Sequence, residues 1–344
     1  MSQFSIKHEE NGTRWGLVLT VNEPEVLVEV NVRWHLATGA AAVFVFLDDP
    51  LDPVAARLSA IAGCHVHRCD DAYWATRRPT KGRPPSQMRR QTINANFAQN
   101  RCDLDWLFHI DADEFIWQGG TLSDELSKHD DPMTELNLPV LERVFPDAPQ
   151  GGLFNGMFRA TSDLSDAEAL DAFGAFAGMM KRGQYSHGAG KSGVCVGAGL
   201  RLGVHNATRT GSEGRQRRAP KVVSRTARLL HFDGLTPLHW MMKVLRYRQT
   251  PPDVQARILQ PHRAAQIGWM LDRCATLADA CAAHHEMFAL TVDRRARLER
   301  QNLLRDIPFD PIGKLGSDAP DLTIEAFEAD VLRRNPWMRE VLDI

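Results

Sequence analysis

Three apolar runs, each ending in polar or acidic residues, constrain what this chain can fold into more than any other feature. They are "GLVLTVNE" at 16–23, "AAVFVFLDD" at 41–49 and "DWLFHIDADEF" at 105–115. Runs this short and this apolar suit strands buried on both faces, as in parallel sheets. Between the first two, "PEVLVEVNVRWHLATG" opens on Pro24, sets Leu27, Val30, Trp34 and His35 on one side and stops at Gly39, the pattern of a helix. A helix from about Pro53 to Ala62 and the short strand "CHVHRC" come next. Strand, helix, strand, helix, strand begins a doubly wound α/β sheet, and such sheets bind ligands outside the carboxyl ends of their strands.

The remainder is less regular. "TRRPTKGRPPSQMRRQ" at 76–91 predicts a mobile basic loop, and a helix over Gln87 to Asn100 precedes the third run. "TELNLPVLERVF" predicts one strand, while residues 147–190 are rich in Gly, Ala and Phe without a steady period. "GVCVGAGLRLGVHN" and "VVSRTARLLHFDG" read as strands on either side of a second basic loop. Beyond Leu238 the chain reads as helical to about Arg305, with a further helix or two at the end. The division predicted is an α/β catalytic unit at 1–238 and a helical region at 239–344 packed on it.

With 344 residues, a sizeable core is available. A net charge of -2 and 43% hydrophobic residues argue against nucleic-acid binding by bulk charge. The stretch from Trp34 to Leu47 is uncharged for 14 residues, too short for a membrane span, and the polar start "MSQFSIKHEENG" predicts no signal peptide. Six scattered cysteines without a CxxC pair predict reduced thiols in the cytoplasm. Cys274, Cys281, His284 and His285 fall at i, i+7, i+10 and i+11 of a helical stretch, which a buried helix face explains better than zinc does.

Carboxylates at the end of a buried strand are expensive to desolvate, so Asp111, Asp113 and Glu114 either sit in water or hold a cation. In an extended segment residues i and i+2 point the same way, so Asp111 and Asp113 could share one hard divalent ion, Mg²⁺ or Mn²⁺.

"NEPEVLVEVNVRWHLATGAAAVFVFLDD", "RRQTINANF" and "DWLFHIDADEFIW", in that order within residues 14–118, together with "LLHFDG" and a following "K..R" at 229–246, resemble the GT-A fold glycosyltransferases related to family 2, in the branch with a DxDEF motif. The resemblance implies a Rossmann-like mixed sheet flanked by helices, with a helical C-terminal extension. It also implies metal-dependent transfer of a sugar from a UDP- or GDP-type nucleotide-sugar donor to a glycan or lipid-linked acceptor.

Site residues follow from the same resemblance. Asn22 and Glu23 would lie near the base or ribose, Asp48 or Asp49 after the second strand, and Gln91 and Asn94 along the donor pocket. Asp111 would reach ribose, or the metal through water; Asp113 would ligate the metal, completed by His231 or His205. The leaving diphosphate needs counter-charge, for which Lys191, Arg89 and Arg90 are candidates. Plainer readings stand beside these: Asn22 capping a helix, Gln91 and Asn94 as solvent-facing polars, Lys191 on the surface, the histidines in the core.

For a catalytic base, Asp233 two residues after His231 is the better geometric candidate. Glu114 adjoins the metal motif but in a strand points opposite to Asp113, and Asp163 and Asp166 lie in a loop. No acidic pair of the "ED" kind stands downstream. Two other functions remain open: a metal-dependent phosphoesterase or nucleotidyltransferase, and a non-catalytic nucleotide- or glycan-binding relative. "HWMMKVLRYRQTPP" reads either as a helix with a basic solvent face or as a peripheral contact with the inner membrane face or a charged acceptor.

Overall fold

The three apolar runs become neighbouring parallel strands. A computed structural model of the chain describes residues 12–146, 152–211, 214–249, 259–274 and 276–342. Strand β1 (Trp15–Val21) leads through helix α1 (Glu25–Ala37) to β2 (Ala42–Leu47), then through α2 (Val54–Ser59) to β3 (Cys64–Arg68). Helices α3 (Asp71–Arg77) and α4 (Gln87–Gln99) precede β4 (Trp106–His109). β1 pairs in parallel with β2 and with β4, so Asn22, Asp48 and Asp111 leave the sheet along one edge. The continuous apolar character of β1 has a simple cause: Leu17 and Leu19 face Val28 and Val32 of α1, whereas Val18 faces Ala95 and Ala98 of α4.

β5 (Glu114–Gln118), α5 (Leu122–Ser127), β6 (Glu135–Leu138), β7 (Val140–Pro146), β8 (Met157–Ala160) and α6 (Asp166–Phe173) follow. Then come β9 (Lys191–Cys195), the β10 (Thr208–Thr210) and β11 (Gln216–Arg218) hairpin, β12 (Lys221–Val223) and β13 (Ala227–His231). The main sheet has seven strands in the order β12-β6-β9-β4-β1-β2-β3, with β9 antiparallel to both neighbours. In a second sheet β13 lies between β5, antiparallel, and β7, parallel, so that His231 sits opposite both Glu114 and Glu142. The architecture is the expected one, a mixed α/β sheet flanked by helices with a helical C-terminal region.

That region begins with α7 (Pro237–Leu245), which opens with Pro237 after the capping side chain of Thr236. Helices at Pro261–Leu271, Leu277–Phe288, Ile324–Arg334 and Trp337–Leu342 are among those that follow. One core cluster joins Leu27, Val30 and Trp34 of α1 to Phe115, Phe232, Trp240, Met270, Phe327 and Val331, so the hydrophobic core is continuous across residue 238. Among the described residues no helix is long and apolar enough to cross a membrane.

The structure departs from the sequence reading in four places. "TELNLPVLERVF" is two strands in different sheets, split at Pro139, which has no N–H for a ladder. The basic stretch at 76–91 is flanked by α3, whose Asp70 cap accepts from the Tyr73 N–H at 2.7 Å while Tyr73 and Trp74 sink into the core. Arg83 and Arg90 pin the rest of that stretch to Asp48, so it is held rather than loose. The helical tail carries two short strands, Ala289–Leu290 on β7 and Leu304–Arg305 on β8. Residues 111–113 are not extended: the Glu114 N–H closes a turn on the Asp111 carbonyl at 3.1 Å. The helical expectation for 250–258 and the polar N-terminal start lie outside the described residues.

Candidate functional site

The turn at 111–114 is fastened to α1. Asn31 donates to the carbonyls of Ala112 at 3.0 Å and Glu114 at 2.7 Å. His35 accepts the Ile116 N–H on Nε2 at 2.9 Å, which makes Nδ1 its protonated nitrogen, donating to Asn31. Burial lowers the His35 pKa to about 3, which keeps it the neutral ring this bonding needs. Because the chain turns, Asp111 and Asp113 do not share one position, as an extended segment would have them do.

Asp111 meets Lys191, whose Nζ lies 2.6 Å away and 3.4 Å from Glu114. Lys191 starts β9, which runs antiparallel to β4 and delivers the lysine beside the end of β4. Gln91 of α4 donates to the other Asp111 oxygen at 2.6 Å. Glu114 is fully buried; it accepts the Asp111 N–H at 2.7 Å and faces His187 Nε2 at 2.9 Å. Burial works against the charged form of Glu114, yet Lys191 and the His187 bond hold its pKa below the ordinary carboxylate range.

Asp113 points to a different set. Lys243 of α7 donates to it, and His231 Nε2 stands 3.4 Å from the same oxygen. Ligand atoms of Asp113, His231 and Asp233 all lie within 4.8 Å of one another, as do those of Glu114, His187 and His231. Two carboxylates and an imidazole are a donor set that could hold a divalent cation. The orientation of His231 suits it as well. Ser186 donates to Glu142 at 2.6 Å, so its oxygen is free to accept from His231 Nδ1 at 2.8 Å, which leaves Nε2 facing the two aspartates. Burial pushes the His231 pKa down, but the charge and hydrogen bond of Asp113 outweigh it and raise it to about 9. Asp233 lies on Arg263 at 2.8 Å and 3.7 Å from Lys243; against burial, these cations keep it well below the ordinary range. Gly234, at φ +85°, follows at once, and a side chain there would meet Trp240, so the bend after Asp233 requires glycine.

At the carboxyl ends of β1 and β2 a cleft of about 400 Å³ is lined by Asn22, Asp49, Arg246, Arg334 and Trp337. Asn22 caps no helix; its oxygen accepts from Arg334 at 3.1 Å. Glu23 receives Nε2–H of His239 at 3.0 Å, because His239 Nδ1 is occupied by the Leu235 N–H. Glu23 lies 3.5 Å from Arg246, and although burial opposes it, the His239 bond followed by Arg246 lowers its pKa to about 2. Asp49 is exposed and accepts the Leu51 N–H at 2.9 Å. Asp48 takes a two-pronged contact from Arg90 at 2.7 and 2.8 Å. Asn94 is fully buried between Tyr73 and Thr20, at 2.6 and 3.0 Å, and faces neither solvent nor this cleft. His205 lies against His187 with ring centroids 4.3 Å apart and the planes inclined by 52°, and belongs to neither convergent group. Asp163 pairs with Arg182 on the surface at 2.7 Å.

Sequence reasoning missed three participants. His187 lies in "YSHGAG", within the stretch that showed no period. Arg263 is on a helix far along the chain, and Lys243 enters the sequence reading only through the "K..R" block and a basic helix face, without a site role. The spacing of "LLHFDG" from "K..R" held the one available signal, since it sets Lys243 and Asp233 at the two ends of a single turn and helix. Of the helical cysteine and histidine set, His284 is enclosed by Phe145, Trp240 and Phe288, and none belongs to a convergent ligand group among the described residues.

No family model matches this chain, and no curated protein matches it. Among solved structures it is similar to GalNAc-T7 with UDP, GalNAc and Mn²⁺, at TM-score 0.35 and 10% identity over 69% of this chain and 48% of that one. It therefore spans about half the length of the GalNAc-T7 chain. It is also similar to S. aureus TarS 1–349, at TM-score 0.33 and 10% identity over 95% and 92% of the two chains. The galactosyltransferase LgtC, in complex with donor and acceptor sugar analogues, gives TM-score 0.23 and 14% identity over 53% and 58%.

Proposed function

We propose that this chain is a GT-A glycosyltransferase that uses a divalent metal to move a sugar from a UDP- or GDP-type donor to a glycan or lipid-linked acceptor. The observation that carries the reading is the convergence of Asp113, His231 and Asp233 within 4.8 Å, beside the edge where the parallel strands end. The two convergent groups share His231, which favours one ion over the two that a two-metal phosphoesterase needs.

Asp113, His231 and Asp233 would hold Mn²⁺ or Mg²⁺, which when bound offsets the charge of a nucleoside diphosphate leaving group. The chain's own groups do the rest. Arg246 and Arg334 give the cleft at Asn22 and Asp49 the cationic lining that a diphosphate needs. Lys243, in the water-poor space between Asp113 and Asp233, adds a fixed positive charge where negative charge develops. Lys191 and Gln91 hold Asp111 in place for a ribose hydroxyl. With both oxygens engaged by cations, Asp233 is a weak base, which favours a ligand role for it; Glu114, wholly buried, serves to hold the turn. The six free cysteines support a cytoplasmic setting.

The test is a thermal-shift screen with UDP-, GDP-, CMP- and dTDP-sugars, with and without Mn²⁺, on the native chain and on Asp113→Asn. Binding to the native state raises the midpoint. One nucleotide class should stabilise the native chain only with Mn²⁺, and the variant should lose the response. If Mn²⁺ shifts the midpoint while none of the nucleotide sugars adds to that shift, the reading moves to phosphoester chemistry.

A further inference from the structure

We propose that the far end of the β5 and β13 strand pair carries a second ligand site, for a saccharide bearing a phosphate or carboxylate group. The two strands are antiparallel, with Glu114 opposite His231 at one end and Gln118 opposite Ala227 at the other. Four residues of strand, about 13 Å, separate the metal-ligand cluster from a cleft of about 450 Å³ at that far end. Trp117 and Gly119 of the β5 end, Arg225 and Arg228 near the start of β13, and Arg305 and Ile307 line it. Among the described residues three arginines and no carboxylate line it, a lining suited to an anion.

The arginines are built in. Arg228 Nη1 donates to the carbonyls of Ala227 at 2.7 Å and Ser224 at 3.1 Å. Arg305 Nη1 donates to those of Leu304 at 2.7 Å and Asn302 at 2.8 Å. Among the described residues neither forms an ion pair, nor does Arg225. The neighbouring carboxylate, Glu125, is engaged by the hydroxyls of Ser224 and Thr226 and by the Arg225 N–H at 2.7 Å. Two guanidinium groups are thus each anchored through one nitrogen to backbone carbonyls, with Nε and Nη2 left over. That edge is the one that takes an oxyanion in two-pronged fashion.

The same cleft has an aromatic wall. A side chain on Gly119 would come within 3.0 Å of Trp117 Cη2, so glycine is what lets the indole stay where it lines the cleft. An indole beside anchored guanidinium groups offers a flat apolar face to the C–H side of a sugar ring and charge to its acidic substituent. The anion requirement comes from the arginines alone, whereas the saccharide part rests on the glycosyltransferase reading.

Calorimetric titration of the full chain at low ionic strength tests the site with glucose 6-phosphate, glucuronate, glucose and inorganic phosphate. At least one anionic sugar should bind, glucose should not, and Arg228→Gln/Arg305→Gln should weaken binding at least tenfold. Arg225→Gln, an exposed position that does not endanger folding, should weaken it several-fold, and Trp117→Phe should weaken the sugars more than phosphate. The proposal fails if neither anionic sugar binds, or if the arginine variants bind as the native chain does. It also fails as a saccharide site if inorganic phosphate binds as tightly as the sugar phosphate. If the anionic sugars bind at this cleft while nucleotide and Mn²⁺ together leave the thermal midpoint unmoved, the glycosyltransferase reading falls and the second site stands.

Discussion

Lys191 Nζ stands 2.6 Å from Asp111 Oδ2, the lysine fully buried and the aspartate side chain 32% exposed. The two aspartates of the turn thus have different surroundings. Asp111 pairs with Lys191, whereas Asp113 pairs with Lys243 and faces His231 and Asp233 across the turn.

Removing that ammonium should be costly. Lys191→Met would leave the buried Glu114 and the adjacent Asp111 facing each other without a counter-charge, and breaking a buried pair on one side costs about 3 to 5 kcal/mol. Urea denaturation should show a loss of that order, while Asp111→Asn, at the partly exposed end, should lose less. A Lys191→Met stability within about 1 kcal/mol of native would show that the carboxylates relax into water, contrary to the burial of Glu114.

Lys243 occupies charge space that a metal ion would also use, since it contacts Asp113 and lies 3.7 Å from Asp233. Lys243→Met should therefore bind Mn²⁺ more tightly than the native chain, roughly tenfold or 1.4 kcal/mol, while losing donor-dependent stabilisation. Calorimetric titration with Mn²⁺ alone separates the two effects. Weaker Mn²⁺ binding in the variant would mean that Lys243 orders the aspartates rather than competing for them.

The strand ends, and the acidic residues that follow them, are legible because burial on both faces writes itself as uninterrupted apolar runs. Asn22, Asp48 and Asp111 share one edge for that reason. What the sequence hid is long-range pairing. His187 and Arg263 reach the cluster from irregular or distant segments, and their identity as partners depends on the register of β13 with β5 and β7. Gln91 and Asn94 sit three residues apart on one helix and look alike in sequence. Yet Gln91 reaches Asp111 and Asn94 is locked to Tyr73, because the helix turns the second toward the sheet. The turn at 111–114 reads as extended in the sequence because no glycine or proline marks it.

Acid should unfold the chain through the same groups. Glu23 has an ordinary pKa of 4.5 and a native one of about 2, held down by His239 and Arg246 in spite of burial. A depressed carboxylate contributes stability above its unfolded pKa and loses it as pH falls toward the native one. Asp113, Asp233 and Glu114 are shifted in the same direction by Lys243, Arg263 and Lys191. Stability should begin to fall below about pH 6.5, where burial keeps His35 neutral in the native chain while it charges in the unfolded one, and should drop more steeply between 4.5 and 2. Glu23→Gln should flatten the drop by no more than about 3 kcal/mol. An unchanged acid profile in that variant would mean that Glu23 keeps its ordinary value in the folded chain.

Gly193 sits in β9 between Phe108 of β4 and Leu136 of β6, two residues after Lys191. A methyl group there would lie 2.3 to 2.5 Å from three atoms of the Phe108 ring, which is itself fully buried. Alanine ordinarily gains about 0.4 to 1 kcal/mol by restricting the unfolded chain, but overpacking a tight core costs about 1 to 3 kcal/mol. Gly193→Ala should therefore be net destabilising by about 1 to 2 kcal/mol, and any shift of β9 moves Lys191 off Asp111. Shrinking the ring should relieve the clash, so Gly193→Ala/Phe108→Leu should be less destabilised than the sum of its single changes. Additive losses would show that Gly193 and Phe108 do not meet, and with that the antiparallel register that brings Lys191 to the DxD turn would have to be redrawn.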